Sequence, residues 1–260
     1  MRLPDPEEAV WLDPANVVRE GFRRSRVVMM NEARSGLKRS ERTRRIGARI
    51  MFMARTCGAT LLAVEALGPP GSTPAADGVL AQPDMVAMLD EARLQGFQLD
   101  GFDVDAAKIP LKLRTKTKST AYTNWRDGQM AANLAALLAA LPEGDSMLVW
   151  CTGLHLTRSR FMMYRPMGWQ FEQRTKVTPF TIDQTVGVDL TGQRTGRPEV
   201  VSWAGPELVR RGGHAGFIWE EGLPRLSAGC DAWILSLDNR VTEPPPDKPK
   251  KPAIRRLLGL

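Results

Sequence analysis

Five ionisable residues of the sequence stand beside short apolar segments, and their types suit hydrolytic chemistry. Glu32 and Arg34 follow one apolar run, Glu65 lies near the end of the next, and His155 follows a later one. Arg126 lies near the start of a segment with helical periodicity. A histidine can act as a general base, and a carboxylate can orient it. We therefore predict His155 as the base, with Glu32 or Glu65 orienting it. Arg34 and Arg126 are predicted to bind substrate oxygens, because guanidinium groups hold anionic or carbonyl oxygens.

Several common active-site templates are missing from the chain. There is no G-x-x-x-x-G-K-[ST] cradle for phosphates and no G-x-S-x-G nucleophile elbow. The absence of C-x-x-C and H-x-x-x-H argues against structural and thermolysin-type zinc sites. Only two histidines are present, His155 and His214, which excludes a His-rich metal cage, and we expect no cofactor. His214 lies in a glycine-rich stretch and is predicted to be part of a loop.

The elements that must position these side chains follow from the apolar periodicity. Short apolar runs predict buried strands, and apolar residues that recur every three or four positions predict helices. Strands alternating with amphipathic helices indicate an α/β domain, in which a mainly parallel sheet is covered by helices on both faces. Ligands of such sheets bind outside the carboxyl ends of the strands. The predicted strands are 27–30, 59–67, 97–104, 147–151, 178–188 and 232–238, and the predicted helices begin at Ser40, Pro83 and Thr123.

The 260 residues predict one domain over 1–242, followed by a flexible, Pro-rich basic tail over 243–260. The net charge of +7 is unevenly distributed. Residues 23–55 hold eleven basic and two acidic side chains, and 108–118 hold five basic and no acidic ones. Such segments bind anions or nucleic acid, or they form solvated helix faces.

The three cysteines are odd in number and far apart, which argues against a disulfide framework and favours a reducing compartment. The first residues lack the apolar core of a secretory signal, and no apolar run approaches the roughly 20 residues that span a bilayer. These features predict a cytoplasmic protein without a membrane span. They leave the oligomeric state open.

Four short motifs occur in a recognisable order. They are Asn31-Glu32-Ala33-Arg34; a strand that ends in Glu65; Arg126 with Met130, Ala131 and Asn133; and Trp150 followed by His155. In this order the chain resembles the superfamily that joins erythromycin esterase-like enzymes, ChaN-like haem-uptake proteins and Tiki-type proteases, and it looks like an uncharacterised bacterial subgroup. It departs from the esterase-like pattern at Arg34, where relatives carry a histidine, and at Gly153, where they carry an asparagine.

The resemblance implies a hydrolase that acts on an ester- or lactone-type small molecule. Arg34 cannot serve as a base because its guanidinium stays protonated, so His155 is the remaining candidate. The alternative hypothesis is a protein of the same fold that has lost catalysis and binds a small anionic or haem-like ligand. The third hypothesis, which ranks below these two, is nucleic-acid binding by the basic segments. The expected partner is therefore a small-molecule substrate or ligand.

Overall fold

The structure, a computed structural model, describes residues 3, 9–32, 37–73, 78–188, 190, 198–219 and 229–237. Both Arg34 and the predicted tail 243–260 lie outside these ranges. The described strands are β1 (Trp11–Leu12), β2 (Val27–Glu32), β3 (Ala59–Val64), β4 (Gln98–Gly101), β5 (Ser146–Thr152), β6 (Phe180–Asp183), β7 (Gly187–Val188), β8 (His214–Ile218) and β9 (Ala232–Leu237). The described helices are α1 (Pro14–Arg24), α2 (Leu37–Thr56), α3 (Pro83–Leu94), α4 (Leu111–Arg114), α5 (Thr120–Ala140), α6 (Met167–Thr175) and α7 (Pro198–Arg210).

The strands of the described chain form one nine-stranded sheet in the order β1-β8-β9-β6-β2-β5-β3-β4, with β7 paired to β9. The α/β class is confirmed. The sheet is mixed, however: neighbouring strands pair in parallel along β9-β6-β2-β5-β3-β4, whereas β8 pairs antiparallel with both β9 and β1.

Successive side chains of the central strands point to opposite faces of the sheet, and both faces are buried. On one face, Val28 and Leu148 pack with residues of α1, α2 and α3, including Ile50. On the other face, Met29 and Val149 pack with residues of α5 and α6. Because helices cover both faces, the polar side chains at the strand ends are placed at the rim of a well-packed layer.

A third apolar cluster packs the sheet edge at β1, β8 and β9 with α7. Four of its ten buried members are aromatic, and the edge-on contacts between Phe217, Trp219 and Trp233 have centroid separations of 4.9 and 5.1 Å. His214 opens β8 within this region, so its predicted loop assignment is wrong. The glycines around it end α7 and turn the chain, and the strand begins immediately after them.

Several element boundaries differ from those predicted. The helix predicted to begin at Thr123 begins at Thr120, because the side chain of Ser119 accepts a hydrogen bond from Tyr122 N at 3.2 Å and caps it. The helix predicted from Ser40 begins at Leu37. The strand predicted over 59–67 ends at Val64, and the segment 178–188 divides into β6 and β7.

Within the described ranges, none of the helices is both long enough and apolar enough to cross a membrane.

Candidate functional site

The carboxyl ends of three adjacent strands bring the candidate residues to one edge of the sheet. Strand β5 lies between β2 and β3, so Glu32, Thr152 and Glu65 end or follow neighbouring parallel strands. Helices α2 and α3 pack on one face of the sheet, and α5 and α6 pack on the other. The helices that connect the strands therefore switch from one face to the other at these strands. This is the kind of position at which open α/β sheets bind ligands. Helix α5 presents its first turns here, with Arg126.

Arg126 is held between two carboxylates. Its Nη2 donates to Glu65 Oε1 at 2.7 Å and to Asp103 Oδ2 at 2.8 Å, while its Nε donates to Asp103 Oδ1 at 3.0 Å. Burial alone would lower the pKa of the guanidinium. The hydrogen bonds to Asp103 and the charge of Glu65 outweigh burial, so the pKa of Arg126 is raised above its ordinary value. Arg126 is therefore a fixed cation.

Glu65 is fixed by β5 as well as by Arg126. Its Oε2 accepts from the backbone N–H of Thr152 at 2.7 Å and from the Thr152 hydroxyl at 3.0 Å. The residue is 8% exposed. Because the strand ends just before it, at Val64, its carboxylate can turn across the end of β5. Glu65 thus ties Arg126 to the neighbouring strand.

His155 meets a carboxylate that the sequence motifs did not point to. Its Nδ1 lies 2.8 Å from Asp127 Oδ1, and both side chains are buried. The other oxygen of Asp127, Oδ2, accepts from the Tyr164 hydroxyl at 2.7 Å and from Met167 N at 3.1 Å. Asp127 is therefore locked in place by groups on its far side.

The second ring nitrogen of His155 faces Arg126. Nη1 of Arg126 lies 3.4 Å from His155 Nε2. A guanidinium can only donate hydrogen bonds, so this contact favours a lone pair on Nε2. The carboxylate of Asp127 favours the proton on Nδ1. Together the two neighbours favour the tautomer that a general base requires, with the proton on Nδ1 and the lone pair on Nε2.

Glu32 has a different environment. Its carboxylate accepts from Arg44 Nε at 2.6 Å and Nη2 at 2.8 Å, and from Trp150 Nε1 at 3.1 Å. Arg44 lies on α2, is 2% exposed, and also pairs with Asp84 of α3 at 3.0 Å. These contacts link β2 and β5 to the helices of the opposite face. Glu32 therefore contributes an ion pair to the packing between layers.

The structure brings Glu65, Arg126 and His155 together and adds Asp103 and Asp127, which sequence reasoning missed. A signal for Asp103 was present, because it follows the apolar residue Phe102 at the end of a predicted strand. Asp127 directly follows Arg126 and lies on the buried side of α5. No group of three or more His, Cys, Asp and Glu side chains in the described ranges is placed to hold a metal ion.

A cleft of about 320 Å³ is lined by Val104 and Trp125, the chain neighbours of Asp103 and Arg126, but by none of the charged side chains of the site itself. This volume suits a small organic molecule. The amide of Asn133 donates to the carbonyls of Phe102 and Asp103 at 3.0 Å, which holds one wall in place. The lining residues include Pro69, Val104, Lys108, Trp125, Gln129 and Asn133.

Comparison with known proteins finds weak similarity to bacterial toxins and effectors. No protein-family model matches the chain, and no curated protein does. The RRSP effector domain of a MARTX toxin from Vibrio vulnificus CMCP6 is 16% identical, with a TM-score of 0.46 over 69% of this chain and 36% of that one. A structure of bacterial protein toxins is 16% identical, with a TM-score of 0.44 over 69% and 37% of the two chains. The type III effector HopBA1 is 14% identical, with a TM-score of 0.44 over 91% of this chain and 100% of that one.

The chain spans little more than a third of the length of the first two structures. All three are toxin or effector proteins, whereas the motifs predicted an erythromycin esterase-like, ChaN-like or Tiki-type relative. That family assignment, with its uncharacterised bacterial subgroup, is wrong. A physical reason lies in how the motif residues are used: Glu32 holds a buried arginine, and Asn133 bonds two backbone carbonyls. Short motifs of this kind also arise from the needs of packing.

Proposed function

We propose that the protein is a hydrolase of ester- or lactone-type small molecules, in which His155 activates water. The observation that carries the proposal is the pair of contacts to the imidazole, with Asp127 at Nδ1 and Arg126 at Nε2. Carboxylate–histidine pairs of this kind position a general base and stabilise the imidazolium that forms. The contact between Arg126 and Nε2 is longer than an ordinary hydrogen bond, so a water molecule can compete for the lone pair.

The reaction follows from these positions. Nε2 of His155 takes a proton from water while the water oxygen bonds to the carbonyl carbon, and the carbonyl π electrons move to oxygen. Arg126 is the adjacent cation that stabilises the developing oxyanion. As the tetrahedral intermediate collapses, the C–O bond breaks and the imidazolium returns the proton to the leaving alkoxide. The cleft lined by Val104 and Trp125 is the proposed place for the rest of the substrate.

Asp127 takes the orienting role in this proposal. Glu65 acts one step further away, because it fixes Arg126 rather than the base itself. The buried thiol of Cys151 is not proposed as a nucleophile. Burial raises the pKa of this thiol well above its ordinary value, and the nearby charges of Glu65 and Asp127 raise it further. A protonated thiol is a poor nucleophile.

A second candidate function is binding of a small anionic or haem-like ligand without turnover. The observation that favours it is the closure of the site: the His155 side chain is 7% exposed, and two carboxylates already engage Arg126. A cation whose charge is already balanced attracts an anionic substrate less strongly than a free one. Under this alternative the same cleft holds the ligand, and His155 serves only the packing of the loop.

The experiment is a hydrolysis screen with p-nitrophenyl esters and a lactone panel, run on the wild type, His155→Gln and His214→Gln. His214 is the matched control because it is the other histidine of the chain and lies on β8. The proposal expects His155→Gln to lower kcat/KM by about 10²- to 10⁴-fold, the usual range for losing a general base. His214→Gln should leave kcat/KM unchanged. Equal activity of all three proteins would contradict the proposal. A negative screen, with thermal stabilisation by an anionic compound or haem, would favour the binding protein.

A further inference from the structure

The loop after the candidate base exposes an unusual number of large apolar side chains. Phe161 is 60% exposed, Met162 93% and Met163 78%, and Leu154 nearby is 53% exposed. Phe161 and Tyr164 form a β-bridge, so Met162 and Met163 occupy the tip of a tight turn. Met162 has a φ of 49°, a conformation that residues other than glycine rarely adopt. The turn therefore projects two methionines outward at some cost in backbone energy.

This tip is anchored to the start of α5. Asn124 Nδ2 donates to the carbonyl of Met163 at 2.7 Å, and Asn124 Oδ1 accepts from the backbone N–H of Arg165 at 2.8 Å. Tyr164 donates to Asp127 on the same helix. These bonds fix the apolar tip against the first turns of α5.

The segment that precedes α5 in the chain, 108–118, contains five basic residues and no acidic one. All five are exposed, and none makes a salt bridge with any carboxylate in the described ranges: Lys108, Lys112, Arg114, Lys116 and Lys118. Leu111, on α4 in the same segment, is 78% exposed. The segment therefore combines unpaired positive charge with an outward apolar side chain.

The residues on both sides of the tip are also basic. Residues 156–171 include Arg158, Arg160 and Arg165 and contain no acidic residue. Arg158 pairs with Asp231, and the guanidinium of Arg160 lies 5.3 Å from the ring centre of Trp169. Arg165 is exposed. We name the surface formed by 108–118 and 158–165 the basic-apolar face.

We propose that the basic-apolar face docks the protein on an anionic lipid bilayer, with Met162 and Met163 inserted among the headgroups. Exposed cations beside outward apolar side chains match a negatively charged surface over an apolar interior. Nucleic acid offers phosphates for the lysines but no apolar medium for a projecting pair of methionines. A protein partner of this chemistry would present an acidic groove. The outward turn at Met162 and Met163 fits a flat bilayer surface better than such a groove.

The test is vesicle flotation with the whole chain, using phosphatidylcholine alone and phosphatidylcholine with about one-third phosphatidylserine. The wild type should float with the anionic vesicles and stay behind with the neutral ones. Met162→Asn combined with Met163→Ser should lower the partition coefficient by about tenfold or more, from the lost apolar burial. Asparagine tolerates the left-handed conformation, so the double variant keeps the turn. Leu94→Ser is the matched control, because Leu94 lies on α3 and is 78% exposed.

A charge variant provides an independent test. Lys112→Gln should lower partitioning by about fivefold, the contribution of one basic residue near an anionic surface. Arg55→Gln, at an exposed position on α2, should have no effect. The proposal is overturned if the wild type ignores anionic vesicles, or if it binds both vesicle types equally. It is also overturned if the methionine variant floats like Leu94→Ser, or if the face binds single-stranded RNA while no vesicle binding occurs.

Discussion

Asp127 Oδ1 lies 2.8 Å from Nδ1 of His155, and both side chains are buried away from bulk water. Asp127 is fully buried and receives a hydroxyl and a backbone N–H on its other oxygen. One carboxylate oxygen of Asp127 accepts these two hydrogen bonds, and the other faces the imidazole. The carboxylate can therefore orient the His155 ring. The proposed chemistry depends on this relationship more than on any other contact of the site.

Replacing Asp127 with asparagine should reduce hydrolysis. The amide no longer favours a proton on Nδ1 or stabilises the imidazolium, so kcat should fall by about 10²-fold or more. The measurement is kcat and KM on the best substrate of the screen. Asp90→Asn is the control, since that side chain is 62% exposed on α3. An unchanged kcat for Asp127→Asn in a folded protein would count against the proposed pair.

Replacing Arg44 with leucine should destabilise the fold strongly. The change leaves the carboxylates of Glu32 and Asp84 without their shared buried cation, and removing one partner of a buried ion pair costs about 3–5 kcal/mol. Guanidinium denaturation should show the loss as a lower midpoint with a similar slope. Arg93→Leu breaks an exposed pair with Asp90 and should leave the midpoint unchanged. Similar midpoints for both variants would show that the buried pair is not stabilising.

The stability of the fold should depend on His214 below neutral pH. Burial lowers the pKa of His214, the charge of Arg49 lowers it further, and Asp13 partly opposes them. The unfolded chain therefore binds the proton more readily than the folded chain does. This contribution to stability is complete above the ordinary histidine pKa of about 6.5 and decreases as the pH falls below it. Thermal melts from pH 8 to 5 should show a smaller decrease in His214→Gln than in the wild type. Parallel curves would contradict the prediction.

The cysteines should differ in reactivity. Burial raises the pKa of Cys151 well above its usual range, whereas Cys57 is half-buried at the end of α2 and its pKa is raised mainly by partial burial. Iodoacetamide labelling of the native protein, read by peptide mass spectrometry, should modify Cys57 well before Cys151. In guanidinium both should react at similar rates. Equal native rates would show that the end of β5 opens more often than its packing implies.

The central strands were predictable from sequence because both faces of the sheet are buried. Runs such as 27–30 and 147–151 are continuously apolar, a pattern that strands covered on both faces produce. The region around His214 was not predictable in the same way. Its glycines suggest a loop. The strand forms because β8 pairs antiparallel with β9, and no pattern within residues 212–218 indicates that partner.

The candidate site was predictable in part. Positions after strand ends directed attention to Glu65 and His155, which the topology brings to one edge. Which carboxylate lies next to which basic side chain was not predictable, because several carboxylates lie within reach of each basic group. Glu32 pairs with Arg44 twelve residues later, and Asp127 reaches His155 across a loop. These pairings depend on the face of the sheet toward which each side chain points.

The most direct test of the proposed base is ¹⁵N NMR of the histidine side chains in the whole chain. His214→Gln assigns the signals, since only two histidines are present. In its neutral form, His155 should carry its proton on Nδ1 and a lone pair on Nε2. Asp127→Asn should weaken this preference. A His155 that carries its proton on Nε2 would contradict the account, because that nitrogen could not accept a proton from water.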